Sequence, residues 1–126
     1  MTTRKRRKKS VPRTKAVRSA ASRKPAVKLP KSAVTLVVML QPQEGKQSLL
    51  EAELRALLAH TRREEGCMTY DLHRNADGAS SVLLHEVWAS REHHRRHTLT
   101  PHFLRWDARK DSLLASREVT FWSQLA

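Results

Sequence analysis

Ser80-Ser81-Val82-Leu83-Leu84-His85-Glu86-Val87-Trp88-Ala89-Ser90-Arg91-Glu92-His93-His94-Arg95-Arg96-His97-Thr98-Leu99-Thr100-Pro101-His102-Phe103-Leu104-Arg105-Trp106 is the stretch that decides the fold. Its first part alternates about a β-branched, apolar run, which predicts a strand over Ser81–Trp88. Val82, Leu84, Glu86 and Trp88 then share one face, and Leu83, His85 and Val87 the other. Ser90 is placed to cap a short helix carrying His93, His94 and His97. Thr100 and Pro101 are N-cap and N1 of the next helix. Leu99 and Leu104 stand at the two positions of a hydrophobic staple.

Working back, Asn75-Ala76-Asp77-Gly78 reads as a hairpin turn with Gly78 at positive φ. The strand it returns from is Cys67–Arg74, with Met68, Tyr70 and Leu72 on one side. Before it, Leu50, Leu54, Leu57, Leu58 and Thr61 form one stripe at the 3.6-residue period, so Lys46–Glu65 is predicted helical, with Gly66 just past its end. Ala33–Leu40 is apolar on both faces and reads as a strand covered on both sides. Working forward, Phe103, Trp106, Leu113 and Leu114 are the expected inner stripe of the last helix. Glu118–Gln124 is the expected last strand.

The order strand-helix-strand-strand-helix-strand gives, with right-handed crossovers, a ferredoxin-like βαββαβ antiparallel sheet of the α+β class. Helices from one chain cover one face. The other face is apolar too and carries Phe121 or Trp122, which predicts a homodimer packed sheet on sheet.

Charge divides the chain at residue 32. Residues 1–32 hold 13 of the 25 Lys/Arg and none of the 12 Asp/Glu, so residues 33–126 have a formal charge of zero. The basic segment has three prolines and few large apolar groups, and is predicted to be a disordered tail with nonspecific affinity for polyanions. It lacks the interleaved aromatics that stack on bases. One cysteine, Cys67, excludes an internal disulfide and fits a reducing compartment. The longest apolar run, Ala33–Leu40, is far short of the ~20 residues of a spanning helix. The sequence predicts a soluble cytoplasmic domain at 33–126.

Several histidines invite a catalytic reading. His93, His97 and His102 have spacing that suits a metal, but a solvated His-rich helix face is the commoner use of such spacing. Glu86 on a buried strand face needs a partner. A histidine, a substrate hydroxyl or an arginine would each serve.

At Glu64-Glu65-Gly66-Cys67, Tyr70, Glu86-Val87-Trp88 and His97-Thr98-Leu99-Thr100-Pro101-His102-Phe103 the sequence resembles the antibiotic biosynthesis monooxygenase domain family, most nearly its small bacterial quinol monooxygenases. The resemblance implies a dimeric α+β barrel that oxidises quinols or other electron-rich aromatics with O₂, without metal, flavin or other cofactor. His97 and His102 are the candidate proton acceptors, with Glu86 beside them as the third catalytic candidate. Trp88, Tyr70, Phe103 and Trp106 are the candidate substrate-binding aromatics. His93 and His94 depart from the small or apolar residues usual in the family. The residues by which haem-degrading members hold haem have no counterpart here. Two other readings stand beside this one: a non-catalytic module of the same fold that binds a small aromatic or regulates a partner, and a nucleic-acid-associated protein acting through its tail.

Overall fold

A computed structural model describes residues 29–126. The expected disorder of the basic tail therefore concerns residues that lie, up to 28, outside this range. Residues 30–33 already turn, with the Ala33 N–H on the Pro30 carbonyl at 3.0 Å, and Ser32 Oγ donates to the Ala89 carbonyl at 2.6 Å.

Four strands make one antiparallel sheet: β1 Val34–Pro42, β2 Cys67–Arg74, β3 Val82–Trp88 and β4 Leu114–Trp122, in the order β2-β3-β1-β4. Three helices lie between them: α1 Gln47–Arg62, α2 Arg91–His97 and α3 Pro101–Arg109. This is the predicted ferredoxin-like order. The sheet's inner face buries Leu36, Leu40, Val82, Leu84 and Trp88 against Leu50, Leu54 and Leu57 of α1.

Local chemistry sets the boundaries. Gly66 has φ +84°, which lets the chain leave α1 sharply, and a Cβ there would also sit 2.3 Å from His93 Cγ. Gly78 has φ +92° in the β2–β3 turn, where Asn75 Oδ1 accepts from the N–H of Asp77 and Ala79. Ser90 Oγ and Thr100 Oγ1 accept from the N–H of His93 and Phe103, so both predicted caps are present.

Four expectations need correction. Leu99 and Leu104 remain 59% and 50% exposed, so the Thr100 cap and Pro101, rather than a buried staple, hold the start of α3. Met68 does not side with Tyr70 and Leu72. A bulge between Cys67 and Thr69 makes it the extra residue and turns Cys67 toward the core. α3 stops at Arg109, so Leu113 and Leu114 are not on it. A 3₁₀ turn follows, Leu113 is buried beyond it, and Leu114 opens β4. β4 thus starts four residues before the predicted Glu118 and ends at Trp122, because pairing with β1 imposes the strand on Leu-Ala-Ser-Arg, which has little strand propensity of its own.

The register also separates the two aromatic residues of β4. Phe121 lies opposite Leu36 on the inner face, and Trp122 opposite Thr35 on the outer face. The outer face therefore presents Val37, Met39, Leu83, His85 and a 57%-exposed Trp122. No helix among the described residues is long and apolar enough to cross a membrane.

Candidate active site

Between the inner face of the sheet and helices α2 and α3 lies a cavity of ≈ 90 Å³. Its apolar wall comes from Leu36, Val38, Leu40, Leu84 and Val119 of the strands and Phe103 and Trp106 of α3. Into this wall are set Tyr70, Glu86, His94, His97 and, from β4, Arg117.

His97 is the last residue of α2 and is 1% exposed. Its ring is boxed by aromatic neighbours, with Trp88, Phe103 and Tyr70 centroids at 4.8, 4.9 and 5.5 Å. Nδ1 lies 2.8 Å from Glu64 Oε2, and His102 Nε2 reaches the same oxygen at 2.6 Å. An ionised carboxylate only accepts, so both imidazoles donate to it. That bond fixes the neutral His97 ring with its lone pair on Nε2. Nε2 is buried and has no hydrogen-bond partner. Burial holds the His97 pKa below the ordinary histidine range, against the opposing pull of Glu64, and so favours the neutral ring.

Glu64 was not among the expected catalytic residues. It follows α1 in the turn that ends at Gly66, where its carbonyl accepts from Cys67 N–H at 3.2 Å. Its only signal in the sequence was the Glu-x-Gly-Cys motif. Nothing local announces that α2 and α3 will bring their histidines to it.

Glu86 is 4% exposed, and its partner is none of the three anticipated: Trp88 Nε1–H donates to Oε1 at 2.9 Å, along the same strand face. Burial pushes its pKa up to about 7, with the nearby Glu64 adding to the rise and the indole bond opposing it. Glu86 makes no ion pair among the described residues.

The structure divides the remaining candidates. Tyr70, Phe103 and Trp106 line the cavity; Trp88 and His102 do not. Trp88 is fully buried and braces His97 and Glu86. His102 reaches the site through Glu64 and stacks on His60 at 5.4 Å. The two extra histidines part ways. His93 packs over Gly66 with Nδ1 2.7 Å from Ser90 Oγ, while His94 lines the cavity and meets Phe121 edge-on at 5.5 Å. Burial depresses the His94 pKa to about 4, so it too is neutral. Cys67 is half-buried, and its thiol is raised to about 11 by burial.

A ferredoxin-like sheet with a histidine-bearing cavity between its inner face and its helices defines the fold class. The family model for antibiotic biosynthesis monooxygenases matches residues 33–109, and the chain belongs to that family. Among its relatives is Rv0793 from Mycobacterium tuberculosis (strain ATCC 25618 / H37Rv), provisionally named a monooxygenase. It is 37% identical over 83 residues, which cover 66% of this chain and 81% of that protein. The solved structure of Rv0793 superposes with a TM-score of 0.72, covering 75% of this chain and 97% of that one. PA3566 from Pseudomonas aeruginosa has a TM-score of 0.72 and 34% identity, over 75% of this chain and 96% of that one.

Proposed function

We propose that the protein is a cofactor-independent monooxygenase that oxidises a quinol or related electron-rich aromatic with O₂, acting in the cytoplasm as a homodimer. The observation that carries this reading is the buried, unpartnered Nε2 of His97, a residue that lines a cavity walled by apolar and aromatic side chains with Glu86, His94 and Arg117 among them. A quinol hydroxyl there gives its proton to Nε2, and the Glu64 carboxylate stabilises the imidazolium through Nδ1–H. The resulting anion yields an electron to O₂ more readily than the neutral quinol. For a quinol oxidised to a hydroxyquinone, one oxygen atom enters the ring and the other leaves as water, which takes back the proton held by His97. Glu86, with its pKa near 7, is suited to exchange a hydrogen bond with a second substrate hydroxyl.

Dimerisation is supported by the uncovered apolar side of the sheet, with Trp122 and Met39 exposed on it. The charge of residues 1–32 supports a separate, sequence-independent contact with polyanions.

One observation favours the partner-regulating form of the second reading, a non-catalytic module that binds a small aromatic or regulates a partner. The cavity, at ≈ 90 Å³, is smaller than the ~300–1,000 Å³ of most ligand sites. Oxygen uptake by metal-free protein across a panel of one- and two-ring quinols separates the two. The monooxygenase reading expects uptake coupled to quinol loss, and a fall of about 10²-fold in His97→Ala with the fold retained. Quinol binding without oxygen uptake establishes the alternative.

A further inference from the structure

We propose that Glu64, His97 and His102 form a binding site for a divalent transition-metal ion of the zinc type, and that filling it turns His97 from an acceptor into a donor toward the cavity. The three ligand atoms, one from each residue, all lie within 4.8 Å of one another. They come from the turn after α1, the end of α2 and the first turn of α3, so tertiary packing holds them together. Two imidazoles and one carboxylate are the protein ligands of an open zinc site, with a fourth position left for water. Bonds of about 2.0–2.2 Å in a tetrahedron require ligand atoms about 3.3 Å apart. The two nitrogen–oxygen distances here are 2.8 and 2.6 Å and the two nitrogens lie within 4.8 Å of each other, so the carboxylate must draw back and the two imidazoles must close up to take an ion. The Glu64 and His102 side chains are 13% and 14% exposed, which gives an ion a way in without passing the cavity.

The linkage to the cavity follows from proton placement. In the metal-free state both imidazoles donate to Glu64 through the nitrogens that would become ligands. Coordination needs lone pairs there, so each neutral ring must carry its proton on the other nitrogen. For His97 that other nitrogen is Nε2, the buried atom without a partner. A filled site therefore puts N–H at this buried atom where the empty site has a lone pair. The consequence for turnover, and it alone, rests on the monooxygenase reading above.

The test uses the full chain, freed of metal by a chelator, and zinc alone as the probe. Equilibrium dialysis should give one zinc per chain, with Glu64→Gln and His102→Asn each binding at least tenfold more weakly. Cys67→Ser and His93→Gln should bind like the unsubstituted chain. With ¹⁵N-labelled histidine, the His97 Nε2 resonance should move from the unprotonated to the protonated type as zinc is added. This shift needs no variant, so it stands even if a substitution disturbs folding. Absence of stoichiometric uptake, uptake unaffected by Glu64→Gln and His102→Asn, or an unmoved His97 resonance would overturn the proposal. Zinc should also suppress quinol oxidation in proportion to occupancy. Unchanged turnover with the resonance shifted would sink the assignment of His97 as base and leave the metal site standing.

Discussion

The two faces of the β-sheet are built from alternate residues of the same strands, yet they end in different states. On the inner face Leu36, Leu40, Val82 and Leu84 are at most 4% exposed, closed over by α1 and the cavity-forming helices. One strand position away, Met39 is 38% exposed and Trp122 57% exposed. Alternation delivers apolar groups to both sides; the helices cover only one. The inner face could therefore take in polar groups and bury them, as Glu86 and the His97 packed over it show. The outer face offers apolar surface and no enclosed chemistry. Burial on one side makes a site, and lack of it on the other makes an interface candidate.

The largest effect expected from breaking this contrast is on stability. Leu36→Ala should cost about 2–5 kcal/mol, because it removes buried methylenes and leaves a space in a packed face. Val37→Ala, its neighbour on the outer face, should cost well under 1 kcal/mol in an isolated chain. Urea melts of both, at low and high protein concentration, check the difference. A concentration-dependent cost at Val37 would show that a second copy covers the outer face.

A smaller effect belongs to Glu86. Its folded pKa is raised from 4.5 to about 7, so the folded state binds its proton more tightly than the unfolded state. Stability from this group is fully present below the unfolded pKa and is lost as pH rises from about 4.5 through about 7. The whole swing is about 3 kcal/mol. Tyr70, His94, His97 and Arg117 face the same cavity and Glu64 lies close by, so the slope belongs partly to their shared field. Glu86→Gln should flatten the loss between pH 5 and 8. An unchanged stability–pH profile in that variant would remove Glu86 as its source.

The smallest expected effect on the folded domain comes from removing residues 1–28. Turnover and melting temperature should be unchanged, since the sheet, helices and cavity lie within residues 29–126. Affinity for duplex DNA should be largely lost, and in the full chain its log–log salt slope should be roughly −5 if about six tail cations meet phosphates. Equal DNA binding by both chains would place the contact on the domain.

Much of the architecture was legible because it rests on local rules. Period-2 alternation at Val82–Trp88, the leucine stripe of α1, the Ser90 and Thr100 caps and the turn glycines each act over a few residues. Where the reading slipped, a distant partner had decided. Pairing with β1 made a strand of Leu114–Arg117, and pairing with β3 placed the bulge that displaces Met68.

The site divides along the same line. The residue types able to move a proton were visible in the sequence: His97, His102 and Glu86, set among Tyr70, Trp88, Phe103 and Trp106. Their roles were not, since a role depends on what meets what in space. Only the folded chain brings Glu64, 33 and 38 residues away, onto both His97 and His102. Only there is the Glu86 carboxylate tied to Trp88, His94 turned to the cavity and His93 turned away. The sequence determined most of the segments that form strands and helices, and which groups could do chemistry, because propensity, capping and alternation are short-range. Tertiary structure decided which nitrogen of His97 carries the lone pair and which carboxyl stays half-protonated near pH 7. Desolvation and hydrogen-bond geometry arise only when separate elements close around a group.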